Sequence, residues 1–151
     1  MKKHIGFVLI CMISTGYLHA QTAEDSVKIA IGQFFTYLRN SDSKGILSCF
    51  TDSAILQTIA RDKEGEAVVK NEKIADFATL VGTIPKLAAD ERIVFDFVKV
   101  DGPLATAWTP FKFYYNGVFS HCGVNSFQMI RIRGQWKIHF LIDTRRKQAC
   151  D

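Results

Sequence analysis

The stretch Phe119-Ser-His-Cys-Gly-Val-Asn-Ser-Phe127 brings histidine, cysteine and asparagine close together between two runs of aromatic and β-branched residues. These residue types suit a thiol nucleophile with an imidazole base, half of a metal site, or a polar wall for a bound molecule. A nucleophilic pair needs the thiol within hydrogen-bond reach of the ring. His121 and Cys122 are adjacent, so on a strand they point to opposite faces and form no dyad, short of a bulge at Gly123. Metal binding fares no better, because His121 and His139 fall on opposite faces; no metal site and no cofactor motif is read. Cys122 reads as a packed thiol on the outer side of the sheet. The alternative is a disulfide to Cys150, since the register sets Arg145 opposite Cys122 and leaves five residues in which the tail can turn back. Cys49, beside Phe50 in an apolar turn, reads as core.

The elements that position this strand follow from periodicity. Val27, Ala30, Ile31, Phe34, Phe35 and Leu38 recur at helical spacing within Ala23 to Asn40, with Thr22 and Asp25 as a start signal. A second, shorter helix is expected over Ser43 to Phe50, with Ile46, Leu47 and Phe50 facing inward. Short strands over Ala54 to Ile59 and Ala67 to Lys70, joined by the charged turn Arg61 to Gly65, read as a hairpin. Asn71 is expected to cap a third helix with Glu72 in its first turn and Ile74, Phe77, Ala78 and Val81 on one face, ended by Gly82 and Pro85. From Glu91 onward Asp101-Gly102, Asn116-Gly117 and Arg133-Gly134 separate β-rich runs and predict an antiparallel meander. Helices first and a meander afterwards give an α+β fold, with the helices packed on one face of the sheet.

Two-residue turns fix register when no bulge intervenes. Tyr114 then faces Phe119, Lys112 faces His121, Trp108 faces Asn125, Phe127 faces Phe140, and Phe97 faces Thr106. One side of the sheet accordingly holds Ile93, Phe95, Phe97, Leu104, Trp108, Phe119, Phe127, Met129, Trp136, Ile138, Phe140 and Ile142, the face for the helices to cover. Thr106, Tyr114, His121 and Asn125 lie among them with Arg131. Polar groups on a covered face need partners or a cavity, so Thr106, Trp108, Tyr114, His121 and Asn125 are the expected ligand contacts. Histidine is the side chain suited to move a proton near neutral pH, so His121 is the best candidate for any acid/base step. The opposite side, with Phe111, Phe113, Tyr115, Cys122, Leu141 and Asp143, is too apolar for an idle solvent face and predicts a homodimer formed sheet to sheet.

Residues 1–20 run from a basic start through the apolar Ile5 to Thr15 to Ala20, the order of a secretory signal peptide, followed by one domain over 21–151. Export to the periplasm or the medium is therefore expected. Cys11 lacks the preceding small residue of a lipoprotein site. The apolar run is shorter than the ~20 residues of a membrane span, and no later segment serves as one. Beyond residue 20 the chain holds 17 basic and 15 acidic residues. That near balance, with no recognisable motif, argues against a nucleic-acid partner. Arg145-Arg146-Lys147, the one local basic cluster, reads as a solvated end.

This element order resembles the nuclear transport factor 2-like superfamily, and within it the lumazine-binding-like family of small, often exported bacterial proteins. The likeness is carried by Val27 to Leu38, Ile46-Leu-Ser-Cys-Phe-Thr-Asp52, Ala107-Trp-Thr-Pro-Phe-Lys-Phe-Tyr114, Phe119 to Phe127, Gly134-Gln-Trp-Lys-Ile138 and Asp143-Thr-Arg-Arg146. It implies a cone of three helices on a curved sheet and a pocket between them, on a scaffold that hosts isomerases, dehydratases, binding proteins and adaptors. An isomerase of the ketosteroid type needs a pocket carboxylate. Asp96 and Asp143 fall on the outer face in the expected register, and Asp52 and Asp76 come from helical regions. The reading is an exported module that binds a planar or apolar small molecule. The alternatives are an isomerase, dehydratase or hydrolase using His121 with Tyr114 or Asp52, and a non-catalytic dimeric scaffold.

Overall fold

A computed structural model describes residues 22–150; residues 1–20, where a signal peptide is expected, and Cys11 among them lie outside the described residues. Helix α1 spans Ala23–Arg39, and Thr22 caps it, its hydroxyl accepting from the Asp25 amide at 3.1 Å. Its buried stripe of Val27, Ile31, Phe34, Phe35 and Leu38 is the one the periodicity requires. Helix α2, Ser43–Cys49, begins at Asp42, which accepts from the Gly45 amide at 2.8 Å. Strands β1, Phe50–Arg61, and β2, Ala67–Glu72, form the expected hairpin. Helix α3 covers Ile74–Thr83 and buries Ala78 and Val81. Strands β3 (Ala89–Ile93), β4 (Phe97–Asp101), β5 (Leu104–Tyr115), β6 (Val118–Ile132) and β7 (Gln135–Arg146) follow.

The seven strands form one sheet in the order β2-β1-β7-β6-β5-β3, with β4 also paired to β5. All pairs are antiparallel except β1 with β7, where the first strand runs beside the last. The three helices and this sheet make an α+β fold, as expected. The core lies between them: the Phe34 and Phe35 rings meet Phe127 edge-on at 6.4 and 6.2 Å, and Trp136 on β7 donates from Nε1 to Ser26 Oγ of α1 at 2.9 Å.

Several expectations are corrected. Asn71 and Glu72 belong to β2, and Asn71 accepts from Gln57 across the hairpin at 2.7 Å; α3 starts after Lys73 without a side-chain cap. The β4–β5 turn centres on Gly102 and Pro103, so Phe97 pairs with Trp108 rather than Thr106.

The register changes matter most. Tyr114 does face Phe119, but the next pair is Phe113 with His121, leaving Ser120 as an extra residue. A second irregularity places Met129 opposite Ile138 but Gln128 opposite Phe140, leaving out His139. Each one-residue insertion exchanges the faces of everything beyond it.

Candidate functional site

A cavity of about 190 Å³ lies between α1, α3 and the concave side of the sheet. Its apolar lining includes Phe34, Phe35, Leu38, Phe77, Val81 and Leu141. Its polar lining gathers Glu91 from β3, His121 and Asn125 from β6, Asp143 and Arg145 from β7, and Thr58 and Glu72 from the β1–β2 hairpin. Thr58, Glu72 and Arg145 also border a neighbouring surface groove, so they stand at the cavity mouth.

Two of the five expected contact residues, His121 and Asn125, line the cavity; Thr106, Trp108 and Tyr114 do not. The bulge at Ser120 accounts for the difference. Past it, Asn125 pairs with Thr109 and Ser126 with Trp108, which puts Thr106 and Trp108 on the outer side. Trp108 is 39 % exposed there and stacks on Phe97 at 6.5 Å. Tyr114 carries the Arg92 guanidinium over its ring at 4.2 Å. Conversely, Phe113 turns inward to His121, with ring centroids 5.0 Å apart.

The bulge at His139 supplies what the unbroken register lacked. Asp143 now pairs with Asn125, and both are buried. Asp143 Oδ2 accepts from Arg145 Nε at 2.7 Å, and Arg145 reaches Thr58 Oγ1 at 3.3 Å. Asp143 Oδ1 is buried with no partner among the described residues. Across the sheet Asn125 Nδ2 donates to Glu91 Oε1 at 2.8 Å.

Burial pushes the Glu91 carboxyl up to about 7, with the Asn125 hydrogen bond opposing the shift and the Asp143 charge adding to it. Glu91 therefore exchanges its proton near neutrality. Burial also raises the pKa of Glu72, at the mouth. It lowers that of His121, helped by Arg145 and opposed by Asp143, so the ring is neutral at pH 7. His121 Nδ1 lies 3.1 Å from Ser120 Oγ, which leaves Nε2 as its free nitrogen among the described residues. A neutral imidazole and a carboxyl that titrates near 7 in one apolar enclosure can donate, accept or move a proton.

Sequence reasoning missed Glu91, Asp143, Arg145 and Glu72. One signal was available: Phe140-Leu-Ile142 is apolar without alternation, which a half-buried strand tolerates where a bulge resets its faces.

His121 and Cys122 do point to opposite sides, and Cys122 forms a disulfide with Cys150, the alternative rather than the packed-thiol reading. Gly123 follows from the same crowding: a side chain there would meet the Thr144 carbonyl oxygen and the Phe111 ring. Cys49 is a free, half-buried thiol whose pKa burial raises to about 11, which keeps it protonated and unreactive. No described helix is long and apolar enough to cross a membrane.

No protein-family model and no curated protein matches the sequence. Solved structures do match its shape. An NTF2-like protein of unknown function from Shewanella baltica OS155 superposes with a TM-score of 0.64 at 11 % identity, over 82 % of this chain and 93 % of that one. A protein of unknown function with a cystatin-like fold from Nostoc punctiforme PCC 73102 gives 0.65 at 15 % identity, over 84 % and 95 %. A candidate dehydratase from the NTF2-like family of Streptomyces avermitilis gives 0.61 at 14 % identity, over 82 % and 95 %. At these identities the likeness is one of fold, and the chain carries the cone-shaped α+β fold shared by the nuclear transport factor 2-like and cystatin-like proteins.

Proposed function

We propose that this chain is an exported binding protein that holds a small, planar or largely apolar molecule in the cavity between its helices and curved sheet. The observation that carries the reading is the enclosure itself: aromatic and aliphatic walls from α1, α3 and β7 with one polar wall of Glu91, His121 and Asn125. Export rests on the signal-like residues 1–20. A bicyclic heteroaromatic ring of the lumazine kind is one ligand of the right character, its edge reading the polar wall. Native mass spectrometry of the purified protein tests this: a co-purified mass lost in Val81→Trp, which fills the cavity, supports it. Empty protein that also binds no aromatic probe refutes it.

A second reading, an isomerase or dehydratase, is favoured by Glu91, a carboxyl that titrates near 7 in the same cavity as His121, whose pKa burial lowers. Here Glu91 rather than His121 alone is the proton carrier. Glu91→Gln separates the readings, since a binding protein keeps its ligand and an enzyme loses turnover.

For assembly, the exposed apolar side chains of Phe97, Leu104 and Trp108 on the outer face support a homodimer through that face. Sedimentation of Trp108→Glu as a monomer, against a wild-type dimer, is the expected result; a wild-type monomer refutes it.

A further inference from the structure

The outer side of the sheet carries a second concavity, of about 270 Å³, bordered by Arg92, Lys112, Tyr114, Arg146, Cys122 and Cys150. Arg92 lies opposite Lys112, Lys112 opposite Cys122, and Cys122 opposite Arg146. Three cations thus stand in one row across four adjacent strands, spanning roughly 15 Å at the usual strand spacing. Like charges directly opposite one another repel. Arg92 shares Asp90 at 2.9 Å, while Lys112 and Arg146 form no ion pair among the described residues.

Both guanidiniums are held by one nitrogen and open at the other two. Arg92 sits over the Tyr114 ring at 4.2 Å with Nε on Asp90, and Arg146 donates from Nε to the Ala149 carbonyl oxygen at 2.9 Å. Their terminal nitrogens make no hydrogen bond among the described residues. Such a fork, already oriented, binds an oxyanion without first being ordered. What orients Arg146 is the tail: Ala149 turns back at φ 51°, and the next residue is bonded to Cys122 in the middle of the cation row. Ile93, Val94 and Pro110 add apolar wall beside the cations.

We propose that this concavity binds the oxyanion group, phosphate or a close analogue, of a small organic molecule, and that the Cys122–Cys150 disulfide completes the site by fixing Arg146. The site is separate from the cavity on the concave side and stands or falls independently of it.

The test is an NMR titration of the oxidised full chain at fixed ionic strength with inorganic phosphate, phenyl phosphate, and vesicles of phosphatidylglycerol. Saturable shifts confined to the surroundings of Arg92, Lys112 and Arg146, with phenyl phosphate tighter than inorganic phosphate, are expected. Lys112→Gln and Arg146→Gln each weaken binding about tenfold, the loss of one charge-assisted contact. Arg146→Lys, which keeps the charge but loses the fork, also weakens it. Cys150→Ser weakens binding although every cation remains. Shifts that never saturate, or Gln variants that bind as wild type does, overturn the site. Binding to vesicles without binding to phenyl phosphate overturns the small-molecule assignment in favour of a lipid surface.

Discussion

The cavity and the outer concavity are built from the same strands by neighbouring residues. Glu91 and Arg92, Phe113 and Lys112, His121 and Cys122, and Arg145 and Arg146 each send one side chain to the enclosed side and one to the open side. One sheet thickness separates two kinds of electrostatics. On the concave side burial governs: Glu91 holds its proton to about pH 7 and His121 loses its charge early. On the open side water screens the charges, so three cations can share a row at modest cost. A sheet buried on one face can thus carry a neutral, proton-exchanging pocket and a cationic patch back to back.

The first way to break this contrast is to remove what encloses the cavity. Phe127 is fully buried beneath Phe34 and Phe35. Phe127→Ala is expected to cost about 4 kcal/mol in urea unfolding; a cost below about 1 kcal/mol would mean the concave side is not the core. The disulfide is next. Cys150→Ser releases the closed loop between residues 122 and 150 and should cost about 3 kcal/mol, read as a lower Tm in the oxidised protein alone. Addition of a reductant should bring wild type to the same value.

The third test sharpens the electrostatic difference. Unfolded, the Glu91 carboxyl has a pKa of 4.5; folded, it is raised to about 7. The unfolded chain therefore gives up its proton first as pH rises, so stability falls between pH 4.5 and 7 and stays lower above that. Glu91→Gln, which mimics the neutral acid and still accepts from Asn125, is expected to be more stable than wild type above pH 7 by on the order of 3 kcal/mol, and no more stable below pH 4.5. His121 acts in the other direction: its contribution is full above its unfolded pKa of 6.5 and is lost as pH falls through its lower folded value. Equal pH profiles for wild type and Glu91→Gln would remove the case for a poised carboxyl. The smallest effect belongs to the open side, where Lys112→Gln should change stability by less than about 0.5 kcal/mol while altering phosphate binding.

Much of the fold was legible in the sequence because its signals are local. The α1 stripe, the Thr22 cap, and the turns at Asn116-Gly117 and Arg133-Gly134 depend on residues a few positions apart. The opposition of His121 and Cys122 is equally local. Two residues of the site were legible for the same reason: His121 and Asn125 lie four apart on one strand with no bulge between them. Trp108 and Asp143 were misplaced because their faces were inferred by counting pairs through Ser120 and His139, where the count slips by one.

What the sequence determined by itself is therefore the set of elements, their amphipathic faces, and a strand that shows different chemistry to its two sides. Only the tertiary structure decided which partners meet across the sheet. Each bulge leaves one residue out of the ladder, at Ser120 and at His139, and its place is set by pairing across the whole sheet, of which the unalternating Phe140-Leu-Ile142 is the one local trace. By that choice Asp143 and Arg145 joined Glu91 in the cavity and Trp108 moved outside.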